Sequence, residues 1–166
     1  MDELAPLVDL CRRVQQAMIE RRLTLATAES CTGGLIGHLL TETSGSSEFY
    51  VGGIVSYSDE LKRSELAVAA HVLEQHGAVS AQTGVAMAEG ARQRYAANVA
   101  VAVTGIAGPN GGSDEKPVGL TYVAVADANG HDVRRNVWKD DRHGNKMRSA
   151  EAALSLLLDR LGAVPG

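Results

Sequence analysis

The stretch LATAESCTGGLIG, residues 25–37, carries an apolar segment into Ser30, Cys31 and Thr32 and then into a pair of glycines. The apolar residues before it, in "RRLTLATAE" (21–29), read as a strand. "GGLIGHLLTE" (33–42) reads as a helix with Leu35, Ile36, Leu39 and Leu40 on one side. Ser30 then falls between a strand end and a helix start, where its oxygen would face unpaired N–H groups and the positive end of the helix dipole. Gly33 and Gly34 would let the backbone approach a ligand closely. Gly33 and Gly37, four apart, also permit close approach, but each costs about 1 kcal/mol of helix propensity against alanine. A Ser/Thr cap in a tight turn, serving no substrate, is the competing reading.

Outward from this junction the pattern alternates. Leu4, Leu7, Val8, Cys11, Val14 and Met18 mark one face of an N-terminal helix over residues 3–21. "FYVGGIVSYS" (49–58), rich in aromatic and β-branched residues, reads as a strand, and Ser58 caps a helix that begins "DELKRSELAV". Ser80 caps the next helix, "AQTGVAMAEGARQRYA" (81–96). "NVAVAVTG" (98–105) is a continuous apolar run suited to a strand covered on both faces. The four glycines and two prolines of "GIAGPNGGSDEKP" (105–117) exclude regular structure and give a long loop. "VGLTYVAVAD" and "HDVRRNVW" flank the turn "ANG" as a hairpin. Met147, Ala150, Leu154, Leu157, Leu158 and Leu161 form a last helical stripe. The expected architecture is α/β, a three-layer α/β/α sandwich on a mixed sheet of about five strands, in one domain over residues 1–166.

Composition narrows the function. With 45% hydrophobic and 22% charged residues the chain has a globular rather than a disordered composition. No apolar run approaches the roughly 20 residues of a membrane span, and the acidic opening MDELAP lacks the positive start of a signal peptide. A cytoplasmic protein with no membrane partner is expected. Cys11 and Cys31 have no metal-like spacing, so they read as reduced thiols, with neither a disulfide nor a zinc site. A net charge of -4 argues against stable nucleic-acid binding as the main activity, while leaving room for a small anionic ligand.

Three segments could carry chemistry. In "YSDELK", Tyr57 ends a strand and Lys62 lies about one turn into the next helix. A lysine can act as base for a serine only when neutral, and half-neutrality near pH 7.4 requires about three units of depression, roughly 4 kcal/mol. A helix dipole supplies only about 0.3 to 1 kcal/mol, and Asp59 and Glu60 oppose it, so burial or a neighbouring cation must supply most; a solvated surface lysine is the alternative. Thr104 closes a buried strand, and the N–H groups of Gly105, Gly108, Gly111 and Gly112 after it can cradle an anion, unless the segment is only a flexible connection. It fits neither a Walker loop nor a dinucleotide fingerprint. Arg134, Arg135, Lys139, Arg142, Lys146 and Arg148 form a basic run able to meet phosphate, or to lie on a solvated strand edge and helix start. None of the five histidines has ligand spacing.

Taken together and in order, "TLATAESCTGGLIG", "GGIVSYSDELK", "GAVSAQT" with "AMAEG", and "VAVTGIAGPNGGSDEKPVG" resemble the CinA C-terminal domain family over nearly the whole chain. Members of this family include amidases that convert nicotinamide mononucleotide and water to nicotinic acid mononucleotide and ammonia. The resemblance implies that Ser30 is the nucleophile, Lys62 its base, and Tyr57 a hydrogen-bond partner of the dyad or the substrate. It implies a phosphate and ribose pocket lined by Thr32, Gly33, Gly34, Thr104, Gly105, Gly108 and Arg142. It implies no metal or organic cofactor, and it implies a homodimer. One segment departs from the family pattern F-x-G-D-R-x-x-x-R: in "WKDDRHGNKMR", Trp138 and Asp140 stand for Phe and Gly, Arg142 matches the first arginine, and the second falls on Lys146 or Arg148. The competing functions are a non-catalytic nucleotide-binding or protein-interaction module linked to competence and DNA-damage responses, and an amidase for a different nucleotide amide.

Overall fold

The alternation of valine and alanine in the apolar strands sets the thickness of the two layers beside the sheet. The computed structural model describes residues 2–162. In β3 (Val99–Gly105) and β4 (Leu120–Asp127), Val99, Val101, Val103, Val123 and Val125 face one side. There they bury against α1 (Ala5–Glu20), α2 (Leu35–Thr41) and α6 (Arg142–Gly162). Ala100, Ala102, Ala124 and Ala126 face the other, with Ala26 and Ala28 of β1 (Leu25–Glu29). That side is covered by α3 (Asp59–Leu66) and α5 (Ala81–Arg94), with α4 (Ala70–His76) against α5. A strand alternates its side chains between faces, so a Val-Ala-Val-Ala run builds a thick apolar layer on one side and admits a closely approaching helix on the other.

The sheet has five strands in the order β2-β1-β3-β4-β5, with β2 (Tyr50–Val55) and β5 (Gly130–Val137) at its edges. β1 runs parallel to both β2 and β3, while β3, β4 and β5 are antiparallel neighbours. The mixed α/β/α sandwich expected from sequence is therefore the observed fold. From β1 the chain leaves through α2 to β2 on one side and returns through α3, α4 and α5 to β3 on the other. Such a switch opens a crevice beyond the carboxyl ends of β1 and β3.

Several boundaries and one element differ from the sequence reading. Residues 21–23 finish α1 instead of starting β1: the Arg21 N–H donates to the Ala17 carbonyl, the Arg22 N–H to Ile19 and the Leu23 N–H to Met18, and Arg22 turns the chain at φ +55°. Gly33 and Gly34 lie outside α2 because their φ values of +62° and +102° are left-handed. α4 was not anticipated, since a seven-residue helix shows too few turns for an apolar period to register.

The crossing of α3 and α5 depends on Gly90, where a Cβ would stand 2.0 Å from the Leu66 carbonyl oxygen. We expect Gly90→Ala to destabilise the fold by about 1–3 kcal/mol in denaturant unfolding, the overpacking cost outweighing the helix propensity gained. An unchanged midpoint would contradict this packing.

Candidate active site

Ser30 is placed by the sheet itself. Its N–H donates to the Val103 carbonyl at 3.0 Å, and the Ser56 N–H donates to the Glu29 carbonyl at 2.8 Å, so the ladder continues past β1 on both sides. The chain then turns sharply, with the Gly33 N–H donating back to the Ser30 carbonyl at 3.0 Å. Ser58 caps α3 by accepting from the Leu61 N–H at 3.1 Å, and one turn later Lys62 points inward at 1% exposure.

The Lys62 Nζ lies 3.1 Å from Ser30 Oγ, 2.8 Å from the Ser56 carbonyl oxygen and 3.1 Å from the Tyr57 carbonyl oxygen. An ammonium spends its three N–H bonds on these three oxygens. An amine keeps two N–H bonds for the two carbonyls and turns its lone pair on Ser30 Oγ, which is the geometry of a base receiving the hydroxyl proton. Burial pushes the Lys62 pKa below its ordinary value, with Asp59 the largest opposing influence. The direction is the one that a general base requires, and it comes from solvent exclusion.

The α2 N-terminus does not face Ser30 as expected. Glu29, 2% exposed, accepts from the Ile36 N–H at 2.9 Å, the Gly37 N–H at 3.1 Å and the Thr32 hydroxyl at 2.7 Å. Its carboxylate takes up the first-turn donors and answers the helix dipole from behind the turn. Gly37 is thereby explained: a Cβ there would meet the Tyr50 hydroxyl at 3.0 Å, beside the carboxylate its N–H binds.

Ser30, Tyr57, Lys62, Thr104, Gly105, Gly108 and Arg142, seven of the residues singled out from sequence, line one cavity of about 240 Å³. Thr32, Gly33 and Gly34 do not line it. Thr32 is turned to Glu29, and Gly33 lies toward Lys146, whose Nζ would be 3.8 Å from a Cβ there. Thr104 lines the cavity but its hydroxyl donates to the Ala78 carbonyl at 2.7 Å, tying β3 to the turn before α5. Tyr57 meets Lys62 through its backbone carbonyl; its phenol, on a side chain left 61% exposed, lies 3.4 Å from Arg142 Nη2. Gly105 serves packing, since a Cβ would stand 2.8 Å from the Leu120 carbonyl oxygen.

Two residues without a sequence signal hold the loop that covers the cavity. Asn145, buried at the start of α6, donates from Nδ2 to the Ala107 carbonyl at 2.9 Å and accepts the Asp140 N–H at 3.1 Å. Lys116 donates to the His76 carbonyl at 2.6 Å. Arg142 donates to the Gly108 carbonyl at 2.7 Å and stands between this cavity and a neighbouring one of about 710 Å³, which Lys146 also lines. Arg148 instead pairs with Asp140, and Arg134 with Asp159. Of the two candidates for the second basic position, Lys146 is the one beside the site. Among the described residues no three His, Cys, Asp or Glu side chains gather where a metal ion could be held. No described helix is long and apolar enough to cross a membrane.

The model of the CinA C-terminal domain matches residues 8–161. A putative competence-damage inducible protein of Moorella thermoacetica is 47% identical over 143 residues, covering 86% of this chain and 34% of that protein. One from Acetivibrio thermocellus is 54% identical over 117 residues, covering 70% and 28% respectively. The chain thus spans about a third of the length of these curated relatives. The crystal structure of competence/damage inducible protein CihA from Agrobacterium tumefaciens superposes with a TM-score of 0.89 at 44% identity, covering 93% of this chain and 94% of that one. Competence damage-inducible protein A from Klebsiella pneumoniae gives 0.90 at 35% identity, covering 93% and 96%.

Because Lys62 has a folded-state pKa below 10.5, the unfolded chain binds more protons in the window between the two values, and stability rises with pH there. Lys62→Met removes that dependence. Chemical denaturation of both proteins across this window should show the wild type gaining on the variant as pH rises; a constant difference would contradict the burial argument.

Proposed function

The chain belongs to the CinA C-terminal domain family, and on that premise we propose that it hydrolyses nicotinamide mononucleotide to nicotinic acid mononucleotide and ammonia through a serine–lysine dyad. The observation that carries this reading is the Lys62 amine, 1% exposed and 3.1 Å from Ser30 Oγ, at the wall of a cavity. A module that only binds has no need of a lysine whose charge is disfavoured by burial.

Ser30 Oγ attacks the carboxamide carbon while Lys62 takes the hydroxyl proton. The tetrahedral intermediate collapses with Lys62 returning the proton to the departing ammonia. Water, with Lys62 again as base, then cleaves the nicotinoyl ester to carboxylate and frees Ser30. With the Ile36 and Gly37 N–H groups committed to Glu29, oxyanion stabilisation falls to the glycine-rich loop after β3, at about 3–4 kcal/mol for each well-placed donor. The substrate's pyridinium, held beside the dyad, adds a like charge that lowers the Lys62 pKa further. Arg142, between the two cavities and joined by Lys146 in the larger, receives the phosphate.

A second reading is a nucleotide-binding or protein-interaction module acting in competence or DNA-damage responses. The names of the relatives favour it, since proteins from Moorella thermoacetica and Acetivibrio thermocellus are called competence-damage inducible.

Ammonia release from nicotinamide mononucleotide by the purified protein separates the two. Turnover that falls by about 10³-fold or more in both Ser30→Ala and Lys62→Met supports the amidase. A folded wild type that binds the nucleotide without releasing ammonia supports the module. For the phosphate assignment, Arg142→Ala should raise KM for the mononucleotide by about 10- to 100-fold, the value of one charge-assisted hydrogen bond. The unphosphorylated nucleoside should be turned over with unchanged KM, and an equal loss on both substrates would remove Arg142 from that role.

A further inference from the structure

A second cavity, of about 230 Å³, lies at the other end of the sheet and takes no part in the chemistry above. Its walls come from Leu23 in the turn between α1 and β1, from Val99 at the start of β3, from Arg21 and Arg92 at the ends of α1 and α5, and from Asp127 and Leu161. The five residues of β1 span about 16 Å, so this cavity and Ser30 are separated by the length of the strand.

Two features make it more than a surface hollow. The Nε atoms of Arg21 and Arg92 are both buried, and neither has a hydrogen-bond partner among the described residues. Buried donors in folded proteins are almost always matched, and here two of the same sign stand around one cavity. The charge balance points the same way. Asp127 accepts both oxygens' worth of hydrogen bonds from Arg160, at 2.8 Å each, and Arg160 also reaches Asp132 at 3.2 Å. Among the described residues no carboxylate comes within ion-pair distance of Arg21 or Arg92, so the two aspartates and three arginines leave one positive charge over. The Asn98 amide oxygen is committed to the Thr24 N–H at 2.8 Å and to its hydroxyl at 3.0 Å, so donors are what Asn98 has left to offer. Apart from Asn129 the remaining wall is apolar, from Leu23, Ala97, Val99, Ala128 and Leu161.

We propose that this cavity is a second ligand site, distinct from the Ser30 cavity, for a small organic anion with a carboxylate or phosphate head and an apolar body. The head is received by the Arg21 and Arg92 guanidinium groups, whose planar forks suit either oxyanion, and the body packs on the Leu23, Val99 and Leu161 side chains.

The test is an NMR titration of the whole chain with benzoate and, separately, phenyl phosphate, with inorganic phosphate as the head-only control. Saturable shifts are expected at the Asn98 and Asn129 amides and at the Arg21 and Arg92 Nε–H signals, and the stronger of the two aromatic probes identifies the head group. Arg21→Met and Arg92→Met should each weaken binding by about tenfold or more, whereas Ser30→Ala should leave it unchanged. Shifts confined to the residues around Ser30, no saturable shift with either aromatic probe, or binding retained in both arginine variants would overturn the proposal. Inorganic phosphate binding as tightly as phenyl phosphate would overturn the part assigned to the apolar wall. Should either methionine variant fail to fold, the wild-type shift map still decides the location.

Discussion

A lysine nitrogen taken out of water must find oxygen atoms where it goes, and the arrangement of this chain around Lys62 follows from that demand. The Ser56 and Tyr57 carbonyls are available because β2 ends there and the chain is turning into α3. Ser30 Oγ is available because β1 ends beside it. The amine is therefore held by two strand ends and one helix, none of which could shift without leaving a buried polar group unmatched, at about 1–3 kcal/mol apiece. The same exclusion of water that makes the site costly lowers the Lys62 pKa, so one constraint both orders the site and favours the neutral amine over the ammonium.

Glu29 does complementary work on the other side of Ser30. A seven-residue helix starting after two left-handed glycines has its first N–H groups inside the protein, and the Glu29 carboxylate supplies the acceptors. It also fixes the turn by accepting the Thr32 hydroxyl. The glycines and Thr32, which look like substrate-binding residues in the linear sequence, are here spent on building the turn that presents Ser30. Beyond the turn, the alanine face of the sheet lets α5 approach closely, and α5 in turn seats α3 through Gly90. Lys62 is thus positioned at one remove by side chains that carry no chemistry.

The sequence made the sheet legible because valine and alanine alternate in β3 and β4 and because Asn-Gly marks the hairpin. It made Ser30 and Lys62 legible because each sits at a strand-to-helix change with a recognisable cap or glycine pair. What it hid were contacts between distant segments. Nothing near Glu29 in the chain says that its carboxylate will turn back on α2, and nothing near Asn145 says that it will meet Ala107. The orientation of Tyr57, carbonyl inward and phenol toward Arg142, depends on the turn into α3 and could not be read from residue type. The basic run around residues 134–148 was divided only by the fold, which sends Arg142 and Lys146 to the cavities and pairs Arg134 and Arg148 with aspartates.

The central claim is that burial favours the uncharged form of the Lys62 amine beside Ser30 Oγ. The most direct measurement is a pH titration of the Lys62 Cε and Hε resonances in uniformly labelled protein, assigned by their loss in Lys62→Met. A midpoint below the ordinary 10.5 is expected, with burial as the cause. A Lys62 that titrates with the surface lysines would contradict it, and the geometry around Ser30 would then be that of a buried ion bound by three oxygens rather than that of a base.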